Sequence, residues 1–253
     1  MPQGSRTRER TPLGQELNLP PPFTAVRLRE VGDAFEHAKS LAPDQGAGTL
    51  VYVGRFDLAE FAVVLEPEEP LVQARRAFYA GMVALADALA ANAQPETAIT
   101  IGWPGSIFVN DGLVGGGRLG WPAGVAEDET PPWLVFGAMI RTVSMTGVEP
   151  GLTPLSTALE DEGFTDGMSN DVIESFARNL MVAIDSWSER GFAAVARDYL
   201  PRLPVEKGQR RDIDDNGDLL SRRMGNEAAE RKALLPLLGT PSWLDPVTKG
   251  PRS

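Results

Sequence analysis

The side chains that can do chemistry in this chain are mainly arginines. Arg118 lies on a glycine-rich predicted strand, Arg141 lies near the end of the next predicted strand, and Arg55 is the last residue of an earlier one. A guanidinium can bind a carboxylate or a phosphate through two parallel hydrogen bonds, but it does not serve as a proton-transfer base. These three residues therefore predict the binding of an anionic ligand. The alternative is that each arginine pairs at the surface with one of the 35 acidic residues.

Other residue types that usually catalyse reactions are scarce. The chain has no cysteine, which excludes disulfides, thiolate metal sites and cysteine nucleophiles. Its single histidine, His37, lies in a stretch with the pattern of an amphipathic helix, which favours a solvated position over a catalytic one. Asp214, Asp215 and Asp218 resemble the start of a calcium loop, but no glutamate follows at the required spacing, so a solvated turn is favoured.

The segment WPGSIFVNDGLVGGGRL (103–119) has the pattern of a β-hairpin. Asn110, followed by Asp and Gly, suits the turn because these residues tolerate a positive φ. Three consecutive glycines stand in the return strand: Gly115, Gly116 and Gly117. They permit either a bulge with close packing or the approach of a ligand to the backbone, and both interpretations stay open. Trp103 is interpreted as a core or pocket-wall aromatic residue rather than a specific stacking residue.

The surrounding sequence predicts the elements that position these residues. Short runs rich in β-branched residues predict strands, and longer runs with apolar residues at helical spacing predict helices. The predicted strands are 48–55, 60–71, the two strands of the hairpin and 133–143, and the predicted helices are 32–42, 71–93 and 169–198, the last interrupted near 189–192. This order predicts an α+β fold, in which a mainly antiparallel mixed sheet packs against helices.

Composition divides the chain into three predicted parts. Residues 1–22 are polar, rich in arginine and closed by a proline run, which indicates a flexible arm. Residues 23–203 form the main domain. Residues 204–253 form a small C-terminal domain, with a hairpin turning at 215–217, a short helix over 226–239 and a loose tail.

Charge and hydropathy exclude several classes of protein. The formal net charge is -11, whereas a protein that binds the phosphate backbone of a nucleic acid needs a basic face. No run approaches 18 apolar residues, and the N-terminus lacks an apolar signal-peptide core. We expect a soluble, cytoplasmic protein with no nucleic acid or membrane partner.

The hairpin, taken with the segments that follow it, resembles the signature of the biotin/lipoate protein ligases. In that signature a Trp-Pro pair precedes apolar residues, a turn and a glycine-bearing return strand. Trp103 and Pro104 match the pair, and Gly115 and Gly116 fall at the small residues of the return strand. The resemblance covers roughly residues 20–220 and implies a class II synthetase-like core. Further segments are similar to those of the family, in the same order: 133–143, 153–164, 172–200 and 210–223.

The resemblance implies a protein that activates biotin or lipoate with ATP and Mg²⁺ and passes the acyl group to a lysine of a carrier domain. It places the family's lysine directly before the Trp-Pro pair, where this chain has Gly102. The chain has four lysines, and none belongs to the predicted sheet: Lys39, Lys207, Lys232 and Lys249. No metal site is evident from the sequence.

We therefore expect a ligase or acyltransferase homologue in which adenylation is altered or lost. Its expected ligand-binding residues are Arg55, Trp103, Pro104, Asn110, Gly115, Gly116, Gly117, Arg118 and Arg141. One alternative is a non-catalytic accessory protein of the same fold that binds a lipoyl-type ligand or a carrier domain. Another is an interaction protein in which the ligand pocket has closed.

Overall fold

One mixed β-sheet organises the chain, as described by a computed structural model for residues 16–29, 32–144, 155–165, 168–223, 225 and 228–252. The strands of this sheet are β1 (Thr24–Leu28), β2 (Thr49–Val53), β3 (Leu58–Leu65), β4 (Ile99–Gly102), β5 (Ser106–Val109), β6 (Gly112–Gly120) and β7 (Leu134–Arg141). Their spatial order is β1-β2-β3-β7-β6-β5-β4. β1 pairs with β2 in parallel, and the other pairs are antiparallel. The predicted α+β fold with a mainly antiparallel mixed sheet is confirmed.

Helices cover both faces of this sheet. They are α1 (Ala34–Gln45), α2 (Leu71–Ala74), α3 (Ala77–Asn92), α4 (Met168–Arg190) and α5 (Phe192–Tyr199). α1 packs on β2, β3 and β7, while α3, α4 and α5 pack on the opposite face. All five residues of β2 are buried, which explains why its sequence is an unbroken apolar run rather than an alternating one. Phe136 of β7 and Phe176 of α4 stack in the larger core, with ring centroids 5.5 Å apart.

Strand register assigns side chains to the face that α1 covers, because cross-strand neighbours point to the same side of a sheet. The rows on this face, in order along the strands, contain first Ala62, Gly137 and Arg118, then Glu60, Met139 and Gly116, and last Leu58 and Arg141. Phe35 of α1 packs directly against the first row, where an added Cβ on Gly137 would lie 2.6 Å from its ring. α1 therefore covers the first row, and the third row lies towards another element.

The predicted helices are found, with breaks that have local causes. The segment 71–93 contains the short α2, a turn at Arg75 and Arg76, and then α3. The predicted interruption near 189–192 is confirmed, because Gly191 adopts φ 75° between α4 and α5. A left-handed conformation of this kind ends a helix, and glycine adopts it without steric cost.

The C-terminal part contains a second, three-stranded sheet. Its strands are β8 (Gln209–Ile213), β9 (Leu219–Arg223) and β10 (Glu230–Lys232), in the order β10-β9-β8. The predicted hairpin is confirmed, but the predicted helix over 226–239 is wrong for residues 228–234, and residues 226 and 227 lie outside the described residues. Residues 230–232 pair antiparallel with β9, which satisfies the hydrogen-bonding edge of that strand, and only α6 (Leu235–Gly239) is helical.

The predicted loose tail is also wrong, because residues 241–252 form an ordered loop, here called the C-terminal loop. Asp245 accepts hydrogen bonds from the amides of Val247 and Thr248 through its Oδ1, at 2.7 and 2.9 Å. The Arg252 amide donates to the carbonyl of Trp243 at 2.8 Å, which closes the loop. These bonds hold the pKa of the Asp245 carboxyl below its usual value.

The acidic turn after β8 differs from its prediction as well. Asp218 is only 6% exposed, pairs with Arg231 at 2.7 Å and accepts the Leu234 amide at 2.9 Å. It is a structural carboxylate, not a solvated one.

At the other end of the described chain, Leu17 and Leu19 pack against the core, whereas residues 1–15 of the predicted arm lie outside the described residues. No helix in the described ranges is long and apolar enough to cross a membrane.

Candidate functional site

The N-terminus of α1 meets the sheet at a group of charged side chains. The Ala34 amide donates to Oε1 of Glu60 at 3.0 Å. The amides of Phe35 and Glu36 donate to Oδ1 of Asp33, the N-cap residue, at 3.0 and 3.1 Å. A helix N-terminus often binds a phosphate through such amides. Here two carboxylates of the chain itself occupy these donors.

Arg118 reaches this helix end from β6. Its Nη2 lies 2.6 Å from Oδ1 of Asp33, and its guanidinium carbon lies 4.2 Å from the centre of the Phe35 ring. The side chain is 12% exposed, and its buried Nε has no hydrogen-bond partner. Arg118 is thus held by an ion pair and a cation–π contact within the chain.

Arg55 joins the same group from the turn between β2 and β3. It makes a two-fold hydrogen bond with Asp57, at 2.8 and 2.5 Å, and its Nη1 lies 4.0 Å from Glu60. This bond holds the pKa of Asp57 below its usual value, whereas burial raises the pKa of Glu60, which is 3% exposed. We call Asp33, Arg55, Asp57, Glu60 and Arg118 the charge cluster. It contains three carboxylates and two guanidiniums.

The three glycines of β6 are required by packing within the chain. Gly115 adopts φ 153°, and a Cβ there would overlap the Met139 carbonyl. A Cβ on Gly117 would lie 2.5 Å from the Met82 sulfur. A Cβ on Gly116 would overlap the Gly105 carbonyl and approach the indole of Trp243 to 2.5 Å. Close packing therefore accounts for all three positions.

The remaining expected residues of the hairpin make structural contacts. Trp103 donates its indole N–H to the hydroxyl of Tyr79 at 3.2 Å. The carbonyl of Pro104 accepts the hydroxyl of Tyr199 at 2.7 Å. Asn110, at the turn, accepts the Ala98 amide at 3.0 Å and donates to Glu162 at 2.6 Å. These contacts fix the hairpin to α3, α5 and neighbouring loops.

The C-terminal loop covers the part of the α1 face that α1 leaves open. Trp243, which is 1% exposed, packs against Leu58 and Met139 and donates its indole N–H to the Gly117 carbonyl at 3.0 Å. Arg141, in the third row, donates to the carbonyls of Pro251 and Arg252 at 2.8 and 3.1 Å. Arg141 is therefore joined to the C-terminal loop and does not belong to the charge cluster.

Burial lowers the pKa of Arg141, because a guanidinium away from water is harder to keep charged. Its third hydrogen bond goes to the Thr157 carbonyl at 3.3 Å. The structure thus separates the three arginines that the sequence singled out. Arg55 and Arg118 meet in the charge cluster, and Arg141 lies under the C-terminal loop.

The space beside the hairpin is small. A pocket there is lined by Pro104, Gly105, Gly117, Arg118 and Trp243, among others. The volume in which the centre of a water molecule can lie is about 10 Å³, so the pocket holds about one water molecule. An acyl chain does not fit this pocket while Trp243 is in place.

Three residues of this region were not predicted from the sequence. Glu60 had a recognisable signal, since it is a lone charge within the apolar run LAEFAVVL. Asp33 directly precedes a predicted helix, which is the position of an N-cap residue. Trp243 had no such signal, because its burial depends on contacts more than 100 residues away.

Two observations on the described residues concern the binding of a triphosphate. The amides at the start of α1 are taken by carboxylates, and the strands of the seven-stranded sheet include no lysine. Lys39, on α1, pairs with Glu36 at 2.9 Å. Within the described ranges, no group of three or more His, Cys, Asp or Glu side chains is placed to hold a metal ion.

Comparisons with known proteins agree with this fold. The sequence model of the Biotin/lipoate A/B protein ligase family matches residues 19–201. No curated protein sequence matches the chain. A biotin protein ligase-like protein of unknown function from Silicibacter sp. TM1040 is similar in structure, with a TM-score of 0.75 and 26% identity over 88% of this chain and 99% of that one.

Two more distant structures show the same fold. The biotin protein ligase of Aquifex aeolicus has a TM-score of 0.62 and 15% identity, over 83% of this chain and 95% of that one. The biotin protein ligase of Leishmania major, in complex with biotinyl-5-AMP, has a TM-score of 0.52 and 16% identity, over 84% of this chain and 99% of that one.

Proposed function

The chain belongs to the biotin/lipoate A/B protein ligase family, and we propose that it binds a biotin- or lipoate-type group without adenylating it. The ligand is the free acid or the same group attached to a carrier domain. The family match over residues 19–201 supports the class of ligand. The main support for the loss of adenylation is the space beside the hairpin, where the side chains of Trp243 and Arg118 leave room for about one water.

The charges around α1 support the loss of adenylation. Attack of a carboxylate on the α-phosphate of ATP needs positive charge and free donors beside the reacting atoms. Arg118 and Arg55 are already paired with Asp33 and Asp57. A triphosphate at the start of α1 would also face the carboxylate of Glu60, which takes the Ala34 amide.

Pyrophosphate release tests the loss of adenylation. The full chain is incubated with ATP, Mg²⁺ and, in turn, biotin, lipoate and octanoate. We expect no release above that of the mixture without protein. Release with any of the three acids would contradict the proposal and would restore the ligase hypothesis.

Calorimetry tests the binding itself. The full chain is titrated with the three acids, and with a lipoylated carrier domain and its unmodified form as the matched pair. We expect heat from the lipoylated domain or from an acid, and a weaker signal from the unmodified domain. Absence of heat throughout would contradict the proposal and favour an interaction protein with a closed pocket.

A further inference from the structure

We propose that the C-terminal loop is an intramolecular competitor, which occupies a site for an anionic ligand with an apolar body. The site is the second and third rows of the α1 face, with Met139, Gly116, Leu58 and Arg141. The inference deepens the proposed function, on which it rests for the class of ligand.

The surface on which Trp243 packs has the properties of a ligand site. Its floor is apolar, formed by Leu58 and Met139, and Gly116 leaves room for a flat ring. The Gly117 carbonyl accepts the indole N–H at 3.0 Å. An apolar floor with few placed polar groups is the usual composition of a small-molecule site.

Arg141 indicates the charge of the ligand. Its hydrogen bonds go to three carbonyl oxygens, and among the described residues no carboxylate lies within 4.0 Å of it. Arg55 and Arg118, by contrast, each pair with an aspartate. A carboxylate that replaced the carbonyls of Pro251 and Arg252 would form a charge-assisted, two-fold bond.

The loop is closed on itself and can leave as a unit. The Asp245 amide donates to the Gly250 carbonyl at 2.9 Å, and Leu244 forms a β-bridge with Pro251. Its contacts with the sheet include the packing of Trp243 and Leu244 on Leu58 and Met139, and a hydrogen bond between Ser242 and Ser106 at 3.2 Å. They also include the bonds that Arg141 of β7 donates to the loop carbonyls. Departure of the loop therefore leaves the pairing of the seven strands intact.

Hydrogen exchange of the full chain tests the competition directly. Octanoate is the probe, and 1-octanol, which lacks the carboxylate, is its control. We expect octanoate to raise amide exchange in residues 241–252 and 1-octanol to leave it unchanged. Binding of octanoate with no change in this exchange would overturn the proposal.

Variants of the full chain give a second test, by calorimetry with octanoate. Trp243→Ala is expected to bind about tenfold more tightly or better, because the competing state is weakened. Adding Arg141→Gln to the Trp243→Ala variant should remove the binding of octanoate. Val247→Ala, a change at an exposed residue of the loop, should leave the affinity of the natural chain for octanoate unchanged. Equal affinity in the natural chain and Trp243→Ala, or no binding in either, would overturn the inference even if a carrier domain binds.

Discussion

Glu60 is a carboxylate buried beside Arg55, Asp33 and Arg118, and burial raises its pKa. The folded protein therefore holds this proton more tightly than the unfolded chain does. The ordinary pKa of a glutamate in an unfolded chain is about 4.3. As the pH rises from there to the raised pKa of the folded protein, the contribution of Glu60 to the free energy of unfolding falls. Glu60→Gln keeps an acceptor for the Ala34 amide and removes this titration. We expect the variant to gain stability relative to the natural chain over this window, measured by urea unfolding at several pH values.

Asp57→Asn is the matched control, because the hydrogen bond from Arg55 lowers the pKa of Asp57. Its stabilising contribution is present above the ordinary pKa of an aspartate and is lost as the pH falls through the lowered value. The variant should lose stability at neutral pH and approach the natural chain in acid. If the stability of both variants, relative to the natural chain, changed with pH in the same way, the interactions assigned to Glu60 and Asp57 in the charge cluster would be contradicted.

The sequence predicted which residues are unusual here, but not their partners. Arg118 was a candidate because it is a charge on a glycine-rich strand, and Glu60 stands out in an apolar run. Their surroundings depend on distant parts of the chain, since Asp33 is 85 residues from Arg118. Local pattern cannot indicate such a pair.

At the scale of the elements, Gly116 joins the hairpin to the C-terminal loop. Gly116→Ala would place a Cβ against the Gly105 carbonyl and 2.5 Å from the Trp243 indole. We expect a loss of about 1–3 kcal/mol in stability, measured by thermal or urea unfolding. Gly239→Ala, where nothing lies within 4 Å, should be neutral or slightly stabilising. Equal effects of the two changes would argue against the close packing.

Elements with a strong local pattern were predicted well, and those fixed by distant contacts were not. The hairpin at 103–119 and the helix that contains α3 follow from turn residues and helical spacing. Residues 230–232 were predicted as helix because the surrounding segment is rich in helix-forming residues. Pairing with β9 outweighs that preference.

At the scale of the whole molecule, the turn between β8 and β9 joins the small sheet to α3. The Tyr79 hydroxyl donates to the Gly217 carbonyl at 2.5 Å, and Arg75 donates through Nε to the Asn216 carbonyl at 3.0 Å. The same hydroxyl accepts the indole N–H of Trp103 at 3.2 Å. One buried side chain thus connects the hairpin, α3 and the small sheet, and burial raises its pKa.

Tyr79→Phe should therefore weaken both the whole fold and the attachment of the small sheet. It leaves the Gly217 carbonyl and the Trp103 N–H without this partner, at a cost of about 1–3 kcal/mol. We expect lower stability in urea and faster amide exchange in β8 and β9. Tyr52→Phe is the control, since Tyr52 is also buried but its hydroxyl makes no hydrogen bond within the described residues. If both variants lost the same stability, the hydrogen bonds of the Tyr79 hydroxyl would add nothing to the attachment of the small sheet.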